Sequence, residues 1–370
     1  MVSGSAVVAG GGIGGLAAAI ALRKAGLAVT VLERSQELQP IGAGLSIWPN
    51  GVRALRALGL GELADPSHAR PAEGALRRAD GTELAAFDGA EIEARFGAPL
   101  VGLHRGELLG GLLARAEDAG ADIRWGGEVE EVEQGRIRFT GGELIEAELI
   151  AGADGINSVV RAEILGDGDP RDSGIVAWRG VASGPAADAP PGEWWGPGSA
   201  AGVLPLAGDR TYWYVAYRGR VDDATELERQ LEAFGPPIHG LVAATPERDR
   251  LCHALFDRDP AKRWSRGGLT LLGDAAHPML PFLGQGACSA LEDAVALGAA
   301  LAGSVSVEAA LASYEAERRP RTAKLVKGSR QAGRVALARS SVARAVRDRL
   351  VAAAPSSLRL RQLDPVVGRS

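Results

Sequence analysis

The sequence predicts an α/β fold in which a parallel, helix-covered sheet is interleaved with a second, β-rich region and followed by C-terminal helices. Three observations carry that expectation. A β-type stretch, a glycine-rich turn and a small-residue helix follow one another at the start of the chain. Two more β-type stretches, far along the chain, run out into Asp154-Gly155 and Gly273-Asp274. Between them, residues 171–266 turn aromatic and β-rich, broken by Pro and Gly clusters.

The opening unit reads as strand, turn, helix. Ser5-Ala6-Val7-Val8-Ala9 is the strand and Gly10-Gly11-Gly12-Ile13-Gly14-Gly15 the turn. Leu16-Ala17-Ala18-Ala19-Ile20-Ala21-Leu22 is a helix whose small residues allow close packing on a sheet. A G-x-G-x-x-G stretch is a weak signal by itself in a chain with 51 glycines, and its flanks make it specific. Gly10 permits the tight turn, Gly12 lets the backbone approach a pyrophosphate, and Gly15 allows close helix–strand packing. The helix N-terminus meets the phosphate charge. The next strand, Ala28-Val29-Thr30-Val31-Leu32, ends on Glu33. An acid about 20 residues beyond the glycines is placed to accept hydrogen bonds from ribose hydroxyls. The segment is read as binding the adenosine half of a cofactor; the competing reading is a phosphate-free turn with a surface Glu.

From Pro40 to Gly51 small residues would let a flat ring approach, and a helical pattern over residues 52–58 stops at Gly59. Residues 72–98 carry strand-like pieces around the Asp80-Gly81 turn. Leu103-His104-Arg105 opens a helix with Leu108, Leu109, Leu112 and Leu113 at helical spacing. An Arg at that start opposes the helix dipole, which points to an anion such as a pyrophosphate; a solvated surface arginine is the alternative. Strand-like runs at 128–133, 136–140 and 144–150 lead to a buried strand ending at Ala153, with Asp154-Gly155 as its exit turn and a helix toward Arg161. Within the aromatic region no unbroken helical period precedes 225–234. The chain returns through the strand Gly268-Leu269-Thr270-Leu271-Leu272 to Gly273-Asp274-Ala275-Ala276-His277-Pro278 and then Gly284-Gln285-Gly286, which opens a further helix. No repeat or low-complexity linker interrupts this order, so interleaved domains are expected. Residues 1–70, 99–168 and 267–335 would form a discontinuous nucleotide-binding domain, 71–98 and 169–266 a second domain, and 336–370 a basic helical tail.

A length of 370 residues suits two intimately joined domains. With 46% hydrophobic residues, 24% charged residues and a net charge of −5, the composition argues against disorder and against general nucleic-acid binding. From Arg321 onward twelve Lys or Arg face Asp348 and Asp364, and this basic tail is read as a helix with solvated faces rather than a phosphate or membrane patch. Cys252 and Cys288 are too few for a disulfide framework and lack zinc-site spacing, so a reduced, cytoplasmic setting and no metal are expected. The apolar stretch at 294–301 is well short of the roughly 18 residues a membrane span needs.

Taken together, the three glycine-marked segments resemble the group A flavoprotein monooxygenases, the para-hydroxybenzoate hydroxylase-like family, nearer its salicylate hydroxylase, urate hydroxylase and zeaxanthin epoxidase branch. The resemblance covers residues 5–325 and includes Trp48-Pro49-Asn50-Gly51, His104-Arg105, Glu292-Asp293-Ala294 and Tyr314-Glu315-Ala316-Glu317-Arg318-Arg319-Pro320. It implies a Rossmann-like, GR2-type FAD-binding domain on a parallel sheet and an interleaved substrate domain on a mostly antiparallel sheet. It also implies that Gly14 and Gly15 border the pyrophosphate, that Glu33 and Arg34 hold the adenosine end, and that Ser46 and Arg105 flank the FAD. Val129 would offer backbone contacts to adenine, Asp154-Gly155 would support both FAD and NAD(P)H, and Asp274 would hydrogen-bond the ribityl chain. Gly284-Gln285-Gly286-Ala287-Cys288 would present a helix N-terminus to the flavin N1–C2 carbonyl edge.

The activity the resemblance implies is hydroxylation or epoxidation of an aromatic or planar apolar small molecule, in which NAD(P)H reduces FAD and O₂ forms a C4a-hydroperoxyflavin. The cofactor carries the hard step, so no triad or metal centre is sought and no catalytic residue is named. A dehydrogenase of the same fold without oxygen insertion is the alternative. Pocket candidates are Trp48, Trp178, Tyr212, Tyr214, Met279, Pro281 and Phe282, with Tyr212 foremost, and Arg179 or Arg218 would anchor a carboxylate if directed inward. His277 is read as a structural hydrogen-bonding group and Cys288 as a packing thiol. Where urate-type relatives have an arginine this chain has Ala200, Ala201 and Gly202, which disfavours urate. A monomer or homodimer is expected.

Overall fold

The computed structural model describes residues 4–38, 43–64, 73–184, 189–221 and 225–368. The ring-approach loop expected at Pro40, Ile41 and Gly42 therefore lies outside the described residues. The chain opens with β1 (Ser5–Ala9), α1 (Ile13–Lys24), β2 (Ala28–Glu33), β3 (Gly44–Ile47) and α2 (Pro49–Leu58). A hairpin of β4 (Glu73–Arg78) and β5 (Glu83–Asp88) follows, then α3 (Gly89–Phe96), β6 (Val101–His104) and α4 (Arg105–Asp118). Next come β7 (Asp122–Trp125), β8 (Val129–Glu133), β9 (Arg136–Phe139), β10 (Glu143–Glu146), β11 (Leu149–Gly152) and α5 (Val159–Leu165). The aromatic region supplies β12 (Arg171–Ser183), β13 (Gly192–Trp195), β14 (Ser199–Leu206), β15 (Arg210–Arg218), α6 (Glu226–Leu231), α7 (Pro236–Ala244) and β16 (Leu251–Asp257). The chain closes with β17 (Leu269–Leu271), α8 (Gly286–Ala302), α9 (Val307–Ala336), α10 (Ser341–Ala353) and α11 (Ser356–Val367).

Five of these strands form a wholly parallel sheet in the order β17-β11-β1-β2-β7. Strands β1, β11 and β17 are apolar and buried almost throughout, as a parallel sheet covered on both faces requires. Ala9, Gly152 and Leu271 stand in one register row, so the three glycine-marked segments leave the same edge of the sheet from adjacent strands. Two glycines make that edge compact. A Cβ at Gly10, whose φ is +102°, would lie 2.4 Å from the carbonyl oxygen of Ala153. A Cβ at Gly15 would lie 1.8 Å from the carbonyl oxygen of Gly10, so the helix start is pressed onto the turn it follows.

A second sheet has seven strands in the order β16-β12-β15-β14-β13-β4-β5, antiparallel except where β13 meets β4. The hairpin at residues 73–88 is thus part of the sheet built by residues 171–257, 83 residues or more later in the chain. One face of this sheet packs Val176, Trp213, Val215 and Tyr217 on α6 and α7. The other face carries Ile175, Ala177, Ala200 and Ala216 and meets Leu280 and the end of α9 at Ala336 and Leu337. The small sheet β3-β6 bridges to it: a Cβ at Gly102 would fall 2.1 Å from the carbonyl oxygen of Pro205.

Three local expectations change. Residues 89–96 are helical, because the Asp88 side chain caps Ala90 N at 2.7 Å and Ile92 and Phe96, four apart, bury together against Val367. The run at 144–150 is broken between Glu146 and Leu149, where Ala147 N donates to Gly135 O and Glu148 N to Ser5 O. The basic tail is not simply solvated. Arg330 binds the buried Asp257, and Arg347 donates to Val335 O and Ala336 O and stacks over Trp195 at 4.7 Å.

Replacing Gly15 with Ala forces backbone into backbone, so we expect urea denaturation to report a loss of about 1–3 kcal/mol, the cost typical of overpacking.

Candidate active site

At the nucleotide end, Glu33 Oε2 accepts from Gly11 N at 2.7 Å and Oε1 from Ser35 N at 2.9 Å. The acid therefore braces the glycine turn and keeps lone pairs for ribose donors. Gly126 N and Gly127 N donate to Ser35 O and Glu33 O, which sets half-buried Val129, at the start of β8, beside the acid. Arg34 is exposed next to it. A Cβ at Gly12 would meet nothing within 4 Å, whereas Gly14 faces Leu272 and Ala290, tying the turn to β17 and α8. The N-terminus of α1 has no side-chain cap, so its first N–H groups are available to a phosphate.

The third segment is clamped from behind. Asp293 of α8 is fully buried and accepts from Gly273 N at 3.0 Å, His277 Nε2 at 2.5 Å and Arg318 Nε at 2.8 Å. Burial alone would raise its pKa, but His277 and Arg318 hold it down at about 2. Arg161, launched by the second segment, reaches across to donate to Ala275 O and Ala276 O at 2.9 Å each, and Tyr314 donates to Leu271 O. His277 thus bridges the loop to α8. Asp274 is the exception in this loop: its side chain is exposed while Gly273, Ala275, Ala276 and His277 are buried, and the closely packed protein around it limits its hydration. That confinement raises its pKa against the opposing charges of His277 and Arg105.

Opposite stands Arg105. His104 Nδ1 caps α4 by accepting from Gly106 N at 3.2 Å, which leaves the arginine side chain free of capping duty. Among the described residues its guanidinium has no hydrogen-bond or ion-pair partner; burial lowers its pKa, Asp274 opposes that and Arg179 adds to it. A half-buried cation held without a protein partner suits a bound anion. The start of α8 is equally unfilled. Its first turn, Gly286, Ala287 and Cys288, has no side-chain cap, and Gln285 Nε2 is buried without a partner while its Oε1 takes Asn50 Nδ2 at 2.9 Å. Trp48 Nε1 is likewise buried and unpaired, and a Cβ at Gly284 would fall 2.8 Å from it and 2.8 Å from Ser46 Oγ. Cys288 packs: its thiol touches Trp48 N at 3.4 Å and Gly51, and burial pushes it up to about 12. Asp154 caps α5 through Oδ2 to Val159 N at 2.7 Å, next to left-handed Gly155, and its Oδ1 is buried without a partner. These orphaned donors, free helix starts and the unpaired cation fit FAD.

The seven-stranded sheet presents one row toward this side: Arg179, Tyr214, Gly202, Glu193 and Leu76, in register across five strands. Tyr212 lies one row on, its ring 6.3 Å from that of Tyr214, against Gly44 of β3. Burial raises the pKa of both phenols. Trp178 does not join them. It lies on the opposite face, its indole donating to Tyr217 Oη at 3.1 Å, because it alternates with Arg179 along β12. Phe282 packs on Gly333 of α9, Pro281 is exposed, and Met279 is half-buried. Arg218 sits at the end of the same face as Ile175, away from the Arg179 row. Sequence reasoning missed Glu193; alternation in Gly192-Glu193-Trp194-Trp195 was the available signal, since it opposes the acid to Trp194 of the α7-side core.

The sequence profile of the FAD binding domain family matches residues 4–329. The chain is 37% identical over 358 residues to an aurachin C monooxygenase/isomerase of Stigmatella aurantiaca, covering 93% of each. It is 35% identical over 352 residues to a 3-hydroxybenzoate 6-hydroxylase of Klebsiella oxytoca, covering 89% of this chain and 88% of that one. The solved structure of Klebsiella pneumoniae HpxO with FAD and uric acid superposes with a TM-score of 0.90 at 29% identity, covering 98% of this chain and 96% of that one.

Two outcomes follow from the clamp and the thiol. Removing the buried Asp293 charge in Asp293→Asn should cost about 3–5 kcal/mol by urea denaturation, because Arg318 is left uncompensated. A carboxylate at about 2 when folded and near 3.9 when unfolded contributes fully above about pH 5, so the gap between wild type and variant should narrow by about 2–2.6 kcal/mol as the pH falls toward 2. Iodoacetamide at pH 8 should leave Cys288 unlabelled in the native protein and label it after unfolding, read by peptide mass spectrometry.

Proposed function

The chain belongs to the FAD binding domain family of flavin-dependent aromatic hydroxylases, and from that premise we propose that it inserts one oxygen atom of O₂ into an aromatic or planar apolar small molecule, with NAD(P)H as transient electron donor. The observation that supports this most directly is the convergence of three segments at one sheet edge that faces an unpaired Arg105 and an aromatic wall. Bound FAD supplies the redox and oxygen chemistry. The protein's part is to bind, orient and exclude water.

In this reading Gly10, Gly12, Gly14, Gly15 and the start of α1 hold the pyrophosphate, with Glu33, Arg34 and Val129 at the adenosine end. Arg105 neutralises the cofactor's negative charge, Asp274 hydrogen-bonds the ribityl chain, and Ser46, Gly284, Gln285, Gly286, Ala287 and Cys288 border the ring. Free N–H groups at the start of α8 would offer positive potential to negative charge on a flavin held there. Asp154 and Gly155 serve FAD and NAD(P)H. Tyr212 and Tyr214 orient the acceptor, together with Trp48 and Met279, and Arg179 offers it a cation. Gly202, in the stretch where urate-type relatives carry an arginine, stands in the Tyr214 row and brings no side chain to a urate-like ring.

The division into a discontinuous FAD-binding domain (1–70, 99–168, 267–335), a substrate domain (71–98, 169–266) and a basic helical tail (336–370) belongs to the same proposal. So does a cytoplasmic monomer or homodimer. Cys252 and Cys288 are both free, and no helix among the described residues is long and apolar enough to cross a membrane.

Protein reconstituted with FAD should bleach on NAD(P)H addition and, in a screen of phenols, aromatic acids and alkenes under ¹⁸O₂, give a product carrying one labelled atom. Substrate oxidation without label would make it a dehydrogenase instead. Arg105→Met should weaken FAD retention by roughly 10- to 100-fold, the loss of one charge-assisted contact, measured by flavin fluorescence on dilution.

A further inference from the structure

The monooxygenase reading leaves one group in the cleft wall without a task. Glu193 of β13 pairs with Gly202 and lies on the face of the seven-stranded sheet that also carries Ala177, Ala200, Ala216 and Trp195. A carboxylate in an apolar wall is costly unless it is compensated. The chain has arranged partial compensation at a distance. Tyr214, two strands away, lays its ring across β14 and donates its hydroxyl to Glu193 Oε1. Only glycine at 202 allows this, since a Cβ there would fall 2.1 Å from the Tyr214 ring.

One phenolic donor fills a fraction of a carboxylate's roughly four acceptor positions. Among the described residues no cation pairs with Glu193, and burial raises its pKa despite the Tyr214 hydrogen bond. The indole N–H of Trp195, two residues on along the same face, is directed so as to favour the anion but is buried short of a full hydrogen bond. At the other end of the row, Arg179 Nε is also buried without a partner. Arg179 and Glu193 are three strand steps apart, roughly 14 Å between backbones at about 4.8 Å per step. The wall therefore carries an acceptor at one end and a donor at the other.

We propose that Glu193 determines substrate specificity: its free carboxylate oxygen accepts the ring N–H or O–H of the aromatic acceptor and rejects an anionic group at that end, while Arg179 takes the acceptor or anionic group opposite. Tyr214 fixes the carboxylate's orientation and remains a donor, because burial and the adjacent acid keep its own proton on. The inference rests on the monooxygenase reading and adds to it the polarity of the pocket.

The test measures binding to FAD-loaded protein by the change in flavin absorbance, using 4-hydroxyquinoline against 4-methoxyquinoline and 3-hydroxybenzoate against 3-methoxybenzoate. Wild type is expected to bind at least one donor-bearing probe roughly tenfold or more tighter than its methyl ether, as for a hydrogen bond to a charged group. In Glu193→Gln that ratio should fall to about threefold or less with flavin loading retained, since a neutral acceptor makes a hydrogen bond of about half the strength. An unchanged ratio in the variant, no preference in wild type, or no probe bound by flavin-loaded wild type overturns the inference. Failure of wild type to take up FAD overturns the underlying reading and the inference with it. If Glu193→Gln does not load flavin, Tyr214→Phe serves instead: the untethered carboxylate should lower the preference by about threefold, and an unaltered preference counts against the proposal.

Discussion

The parallel alignment of β1, β11 and β17 is the constraint on which the rest of the molecule depends. Parallel neighbours end at the same edge, so segments separated by more than a hundred residues emerge within a few ångströms of one another. Gly10 against Ala153, and Gly14 against Leu272 and Ala290, are the contacts that this alignment creates. Open α/β sheets bind ligands at the carboxyl ends of their strands because helix starts and unpaired N–H groups collect there.

Behind that edge lies a polar layer that fixes the Asp274 loop. Asp293 gathers Gly273, His277 and Arg318, Arg161 holds the two carbonyls after Asp274, and Tyr314 caps β17. With its neighbours satisfied from behind, Asp274 is left facing the cleft. The arrangement separates two kinds of acid in one short stretch. Asp293 is buried, paired and strongly acidic; Asp274 is confined, accessible and less acidic than usual. Pairing against confinement decides the difference.

Much of the cofactor side was legible because it depends on backbone geometry that few residue types can adopt. Gly10 and Gly15 are required by close approach, and Glu33 follows at the spacing of one helix and one strand. The markers around Glu292-Asp293 and Tyr314 to Arg318 were visible as a pattern, but their joint role as a clamp was not, since it needs α8 and α9 side by side. The aromatic wall was legible only in composition. Of the aromatic residues on β12 to β15, Trp178, Tyr212 and Tyr214 were candidates, and alternation sorted them: Tyr212 and Tyr214 share one face, whereas Trp178 faces α7. The helix at Gly89–Phe96 was misread because its alternating apolar and charged residues fit a strand until α11 supplies the surface for Ile92 and Phe96.

By itself the sequence determined the nucleotide-binding turn, the order of elements and the family, because these rest on local backbone demands and on spacing along the chain. Only the tertiary structure decided which face of the second sheet carries the Arg179 row, and that the early hairpin β4-β5 joins that sheet through a parallel pairing of β4 with β13. It also decided that Gly202 clears a path for Tyr214 to reach Glu193. The physical reason is register. A shift of one residue turns a whole strand's side chains to the other face, and which register wins is set by partners distant in sequence.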